Sequence, residues 1–347
     1  MNKDNFPVML NAANLAHEET SLETLIQSSL SERLNIPRNN IIIPKNKEKY
    51  HDALNPTRTN PLLQEVFDIM RRLNETALHD FTLGCDQDGN NSFANCIDNV
   101  ARDIADIFEN KNITYLELGP EPAKTRRIIS KLQNLHCTIS DYISVDINPS
   151  SEVVMRNELS DLLSYDHIHC ITKPFDKLTT RDIRIGTQPT LATMLGFQEG
   201  NEHPDSANYF LSKILQHEDF LLSEMQIFTG ENHSILEKFY LDPRMRRFSR
   251  LALERIYPDA QSRYRFEIIP VTLENGQVIR CCVSCEDIFY PNNLEKYVFV
   301  ANYCLKYTLA QFRNFRINDD LFKIICEHST GDNTVSFQLS RRTNRTL

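Results

Sequence analysis

The stretch Thr114-Tyr-Leu-Glu-Leu-Gly-Pro-Glu-Pro-Ala-Lys-Thr-Arg-Arg-Ile-Ile-Ser130 decides the fold. Ile113, Tyr115, Leu116 and Leu118, bounded by Asn112 before and Gly119-Pro120 after, read as a buried strand. Ile128, Ile129 and Leu132 fall at helical spacing, so a helix starts near Ala123. Gly119 makes the tight turn between them, and such a turn delivers a ligand to a helix N-terminus. Ile143-Ser-Val-Asp-Ile147 adds a second short apolar strand with Asp146 near its end. The resulting β-α-β unit has the spacing that nucleotide recognition uses: backbone approaches one end of the ligand while a carboxylate at the second strand's tip takes ribose hydroxyls.

A dinucleotide fingerprint carries three glycines. This turn has one, with Glu121 where a second would lie. A glutamate there repels a pyrophosphate and tolerates a cationic sulfonium or ammonium, which favours S-adenosylmethionine (SAM) over a nicotinamide cofactor. An ordinary β-α-β unit with no ligand is the blander alternative.

Outward from this unit, strands alternate with helices. Upstream, residues 60–73 carry a helical stripe that Thr59 or Asn60 caps, with Pro61 in the first turn, and residues 94–108 form a second helix. Downstream come a helix over 152–163, a strand over 167–171, a strand over 190–195 that ends at Gly196-Phe-Gln-Glu-Gly-Asn201, a helix over 205–215 and a strand over 220–228. Two helices, 234–240 and 244–256, then lead into a β-rich region with strands over 264–271, 278–283 and 297–303, separated by the hairpin signal Glu274-Asn-Gly276 and by Pro291-Asn-Asn293. The order predicts a parallel α/β domain with an added α+β module. The expected division is an N-terminal extension (1–45) with one amphipathic segment over 22–34, a cofactor-binding α/β domain (46–228), an α+β substrate module (229–302) and a C-terminal segment (303–347) returning to the α/β domain.

With 38 basic against 47 acidic residues the formal charge is −9, so no chain-wide basic field draws the protein to nucleic acid or anionic lipid. The first residues lack the plan of a signal peptide and no apolar run approaches membrane-spanning length, so a cytoplasmic, non-membrane protein is expected. Nine scattered cysteines suit free thiols in a reducing compartment. No metal site is expected. Adjacent Cys281 and Cys282 on a strand point to opposite faces, the His167/His169 pair has no HExxH motif or carboxylate partner nearby, and the loop over 84–92 lacks the closing glutamate of a calcium loop.

Pro56-Thr-Arg-Thr59, Glu117-Leu-Gly119 with Lys124-Thr-Arg126, Val145-Asp146, Leu195-Gly196 through Gly200-Asn201, and Lys306-Tyr-Thr-Leu309 follow one another in an order and spacing that resembles one family. It is the SAM-dependent histidine Nα-methyltransferases of ergothioneine biosynthesis, whose relatives include dimethylallyltryptophan N-methyltransferases. The resemblance implies a Rossmann-like class I SAM-methyltransferase sheet with an additional α+β substrate module. It implies that Gly119 faces the cofactor, that Lys124 lies near its carboxylate, that Asp146 takes the ribose, and that Phe175 and Gly196 complete the cofactor site. Asn201 is implied to hold the amino-acid portion of the substrate, with Asn55, Phe239, Asn302 and Cys304 at further substrate positions. Leu54 and Asn55 stand where the family has tyrosines, Pro174 where it has an adenine-side carboxylate, and Asn302 and Cys304 where it has a substrate-anchoring acid and serine. A neutral amide cannot ion-pair with an imidazolium, so the SAM fold carries over further than histidine as substrate.

The expected activity is SAM-dependent N-methylation of the amino group of an amino acid or amino-acid-derived small molecule; the oligomeric state is left open. Methyl transfer is an in-line displacement in which positioning supplies most of the acceleration. An amine acceptor must first lose a proton, and Glu199, Tyr240 or a water near Asn201 is the expected taker. Two alternatives stand beside it: a SAM-fold protein that has lost transfer activity and serves as a binding or regulatory partner, and SAM-dependent aminocarboxypropyl transfer.

Overall fold

The computed structural model describes residues 21–50, 60–289 and 295–345, with the strands of the expected β-α-β unit fifth and sixth in its seven-stranded larger sheet. In chain order the elements are α1 (Leu22–Leu34), β1 (Ile41–Ile42), α2 (Asn46–Tyr50), α3 (Pro61–His79), α4 (Phe93–Ile107), β2 (Asn112–Leu118), α5 (Pro122–Asn134), β3 (Thr138–Asp146), α6 (Ser151–Leu159), β4 (Ile168–Thr172), α7 (Thr180–Ile183) and β5 (Thr190–Met194). They continue with α8 (Pro204–Ile214), β6 (Phe220–Gln226), α9 (His233–Tyr240), α10 (Pro243–Ile256), β7 (Gln261–Thr272), β8 (Val278–Phe289), β9 (Tyr297–Lys306), α11 (Leu309–Ile317), β10 (Phe322–Ser329) and β11 (Val335–Arg342).

The larger sheet has the strand order β10-β11-β6-β5-β2-β3-β4. Its strands β2 to β6 are parallel, while β11 runs antiparallel to both β6 and β10. Strands such as β2 are apolar on both faces because helices cover both faces of a parallel sheet. On one side Val100, Ile104, Ile128, Ile129 and Met155 of α4, α5 and α6 meet Tyr115 and Tyr142; on the other Ala207, Phe210 and Leu211 of α8 meet Leu116 and Ile143. This is the Rossmann-like sheet the resemblance implies. α3 starts as expected, with Asn60 Oδ1 accepting from Leu62 N at 3.0 Å and Pro61 in the first turn.

The smaller sheet has the order β1-β9-β8-β7, with β7 and β8 joined through the turn at Gly276. Leu22, Ile26 and Leu30 of α1 are buried against Ile269, Val271 and Ile279 of this sheet, and β1 pairs parallel with β9, so residues 21–45 contribute a helix and a strand to its core. β9 runs unbroken through the boundary expected at 302/303, because its ladder with β8 extends to Lys306. The two sheets meet where Phe228 N donates to Tyr307 O at 2.8 Å.

Three details differ from the sequence reading. β4 begins at Ile168, one residue after His167, and the two histidines do have a carboxylate neighbour: Asp141 of β3 lies 3.2 Å from His167 Nδ1 and 3.2 Å from His169 Nε2. The C-terminal segment holds two further strands, β10 and β11, that complete the larger sheet. Cys281 and Cys282 do enter different clusters on opposite faces of β8. Among the described residues no helix is long and apolar enough to cross a membrane.

Candidate functional site

β2 and β5 are parallel neighbours, with Glu117 opposite Thr193, so the turns at their carboxyl ends lie side by side. Gly119 (φ 74°) and Gly196 (φ 65°) both adopt the left-handed conformation that glycine enters without strain. Each turn sends a polar side chain across the other's glycine. A Cβ on Gly119 would stand 2.8 Å from Gln198 Cδ, and one on Gly196 would overlap the Glu121 carboxylate. Asn74 of α3 donates to Glu121, and Asn201 Nδ2 donates to Gln198 Oε1 at 3.3 Å, so both crossing side chains are held from behind.

Beneath the turns, buried Glu117 accepts from Glu121 N (2.9 Å), Thr125 Oγ1 (2.5 Å) and Tyr142 Oη (2.7 Å), which fixes the start of α5. Burial raises the Glu117 carboxyl. Burial pushes Glu121 up to about 8, opposed by Lys124 and reinforced by Glu224, Glu117 and Asp146. Burial likewise pushes Asp146, at the tip of β3, up to about 7, although its carboxylate accepts from Asn148 N at 2.7 Å. Lys124 Nζ lies 2.8 Å from both carboxylate oxygens of Glu224, with the two side chains 2% and 0% exposed. Glu224 also accepts from Gly196 N at 2.8 Å. Lys124, for which the resemblance implies a place beside the cofactor carboxylate, has its charge matched here by a buried carboxylate.

Both expected proton acceptors are buried and engaged by other groups. Glu199 is buried and ion-paired with Arg316, whose guanidinium further donates to Asn208 Oδ1 (2.8 Å), Ser223 Oγ (2.9 Å) and Gln338 Oε1 (3.2 Å). Tyr240 is buried and stacked on Phe266, centroids 4.7 Å apart and planes 8° apart, and burial holds its phenol well above the ordinary range. Phe239 stands edge-on to Phe197 (6.4 Å) and Tyr240 (5.2 Å), and Phe175 stacks on Phe210 at 6.2 Å. Asn302 is half-buried opposite Ser284. Cys304 lies against Gly200, where a Cβ would come 2.6 Å from its Sγ. Asn201 borders a cavity of about 370 Å³ that Glu23, Glu202 and Tyr303 also line. Asn55 and the segment 56–59 lie outside the described residues.

The sequence reading missed Asn74, Gln198 and Glu224, whose roles depend on partners distant in the chain or across a turn. It also passed over Lys306 as a site residue. Lys306 is fully buried, its Nζ 3.1 Å from Cys304 Sγ, 4.9 Å from the Phe197 ring centre and 5.4 Å from that of Tyr240. Among the described residues no carboxylate lies within ion-pair distance of it. A lysine inside the otherwise uncharged strand Tyr297–Lys306 was the available signal.

A family model described as histidine-specific, SAM-dependent methyltransferase matches residues 94–268. No curated protein matches the chain. Solved structures similar to it include a SAM-dependent methyltransferase, described as putative, from Methanococcus maripaludis (12% identity, TM-score 0.42, covering 84% of this chain and 98% of that one). A 1,6-didemethyltoxoflavin-N1-methyltransferase from Burkholderia thailandensis is 9% identical (TM-score 0.39, 82% and 92%), and the CcbJ methyltransferase from Streptomyces caelestis 8% (TM-score 0.40, 71% and 89%).

Proposed function

The chain belongs to the family of histidine-specific, SAM-dependent methyltransferases, and from that membership we propose that its methyl acceptor is the amino nitrogen of an amino acid or an amino-acid-derived small molecule. The residues at the strand ends fit the cofactor. Two left-handed glycines follow adjacent strands and put no side chain of their own over the turns, and Asp146 stands at the tip of the next strand. Lys124, Glu224, Glu117 and Asp146 all act on the buried Glu121 carboxyl, and a bound sulfonium would favour the ionised form of such carboxyls. The atoms standing over the glycines are the ends of flexible side chains, so rotation of Glu121 and Gln198 uncovers both turns without moving backbone. SAM, when bound, supplies an electrophilic methyl carbon.

The observation that carries the amino-acid part of the reading is Lys306. A cation buried without a carboxylate costs several kcal/mol, roughly, and two aromatic faces offset only part of that. An acceptor carboxylate offsets the rest through a charge-assisted hydrogen bond. Asn302 and Cys304 share the face of β9 that carries Lys306, so a cationic side group such as imidazolium finds no acid on these residues. The reading therefore favours an amine with a free carboxylate over histidine specifically. Glu199 and Tyr240 are committed elsewhere, which leaves water to take the amine's proton. The nine cysteines, all free, support a reducing compartment such as the cytoplasm.

The test is incubation with SAM and the standard amino acids, read by mass spectrometry. The expected outcome is an amine heavier by one methyl group together with S-adenosylhomocysteine, and a Lys306→Met variant in which the acceptor KM rises about tenfold or more with kcat changed less. Methylthioadenosine instead would mean aminocarboxypropyl transfer. No calorimetric heat with SAM at millimolar concentration would mean a lapsed enzyme.

A further inference from the structure

At the outer edge of the larger sheet, three metal-ligating side chains from two elements converge. We propose that Asp103, Cys326 and His328 form a binding site for one thiophilic divalent cation of the zinc type, separate from the strand-end crevice.

A bulge in β10 assembles the site. Ile324 lies opposite Ser340 but Cys326 lies opposite Leu339, so Ile325 is an extra residue in the ladder with β11. A regular strand would leave Cys326 and His328 on the face of Phe322, whose ring joins the core on the α8 side of the sheet. The extra residue turns them to the face of Phe337 and Leu339, which α4 covers. Bulges re-aim side chains in this way. Cys326 and His328 then stand two positions apart on one face, the spacing at which a strand offers two ligands to one ion, and Asp103 reaches them from α4. His328 Nε2 lies 2.7 Å from Asp103 Oδ2, and the sulfur, imidazole nitrogen and carboxylate oxygen all lie within 4.8 Å of one another.

Metal bonds of about 2.0–2.3 Å to such atoms require only side-chain rotation from these positions. The three ligands supply one sulfur, one nitrogen and one oxygen, a set that suits zinc-type ions rather than calcium or magnesium, with the fourth position left to water at the sheet edge. The charged neighbours are few. Arg102 acts on Asp103 from α4, while Glu327, on the opposite face of β10, is taken up by Arg313 (2.5 Å) and Gln338 (3.0 Å). In the metal-free protein burial and the adjacent Asp103 carboxylate push the Cys326 thiol up to about 12. A cation must therefore displace that proton, so binding releases protons and tightens as pH rises.

The experiment titrates the full chain, reduced and freed of metal with a chelator, with Co(II). The expected result is a thiolate-to-cobalt charge-transfer band that saturates at one equivalent, is displaced by Zn(II), and is absent in Cys326→Ser. Asp103→Asn and His328→Ala are expected to weaken binding at least roughly tenfold. Zn(II) should raise the melting temperature of the wild type and leave that of Cys326→Ser unchanged. The absence of a charge-transfer band in the wild type, or a band that survives Cys326→Ser, overturns the site. If Cys326→Ser does not fold, unchanged Co(II) affinity in His328→Ala overturns it equally.

Discussion

Glu121 is 3% exposed at the turn where a second glycine would admit a pyrophosphate, and its burial has a measurable consequence. Its carboxyl is held at about 8 against an ordinary 4.5, so between those values the folded chain keeps a proton that the unfolded chain has lost. The stability this contributes is present in full below 4.5 and is lost as pH rises through about 8. Asp146, raised to about 7, acts in the same direction. Urea denaturation at a series of pH values is expected to show stability falling across that interval. Glu121→Gln, neutral throughout, should flatten the fall by up to ~1.4 kcal/mol per pH unit, and a slope equal to the wild type's would mean that Glu121 is ionised in the fold. Lys124 makes a second residue-scale case. Lys124→Met strands the Glu224 carboxylate in the core, with Gly196 N as its remaining hydrogen-bond donor, and is expected to cost about 3–5 kcal/mol in the same assay, whereas a loss under about 1 kcal/mol would mean that the pair is hydrated. The sequence offered both residues at their right places in the turn and helix. It could not offer Asn74 or Glu224, because an ion pair between α5 and β6 leaves no periodic trace in either segment.

At the scale of elements, the two crossed turns make a cover that a ligand has to move. Gln198 lies over Gly119 and is held by Asn201, so approach to the Gly119 backbone breaks that bond before any new one forms. Gln198→Ala removes the cover and its tether. S-adenosylhomocysteine should then bind about 2–10 times more tightly by calorimetry, the worth of one modest hydrogen bond. Weaker binding would instead make Gln198 a ligand contact. The β2-α5-β3 unit itself was legible, since strands buried on both faces and a helix begun at Pro122 leave strong patterns in short windows. β10 and β11 were not. In β11 Ser336, Gln338 and Ser340 alternate with apolar residues as if one face met water, yet all three are fully buried, and Gln338 is bonded to Arg316. In β10 the bulge at Ile325 breaks the alternation altogether. α1 showed its amphipathic character but not its destination, because the apolar face it covers is built mainly from β7, β8 and β9, more than two hundred residues later in the chain.

For the whole molecule, the question is what makes two sheets act as one body, and Arg316 is where the structure concentrates the answer. It sits on α11, the helix that follows β9 out of the smaller sheet, and is 0% exposed. Its guanidinium reaches Glu199 in the turn after β5, Asn208 on α8, Ser223 on β6 and Gln338 on β11, all on the side of the larger sheet. Methionine at this position would fill similar volume but leave Glu199 charged and buried without a partner, so Arg316→Met is expected to cost about 3–5 kcal/mol in urea denaturation. Adding Glu199→Gln removes the stranded charge and should recover more than half of that loss. If the double variant is no more stable than the single one, packing around the guanidinium rather than its charge holds the joint. The same turn carries Gly200 against Cys304 and presents Asn201, so loosening it also moves the proposed acceptor side of the site. In the single variant the acceptor KM should therefore rise, while S-adenosylhomocysteine affinity should hold or rise, because the same turn carries the Gln198 side chain that covers Gly119. Equal losses in both would place the two ligands in one mechanical unit and make the crevice dependent on the joint.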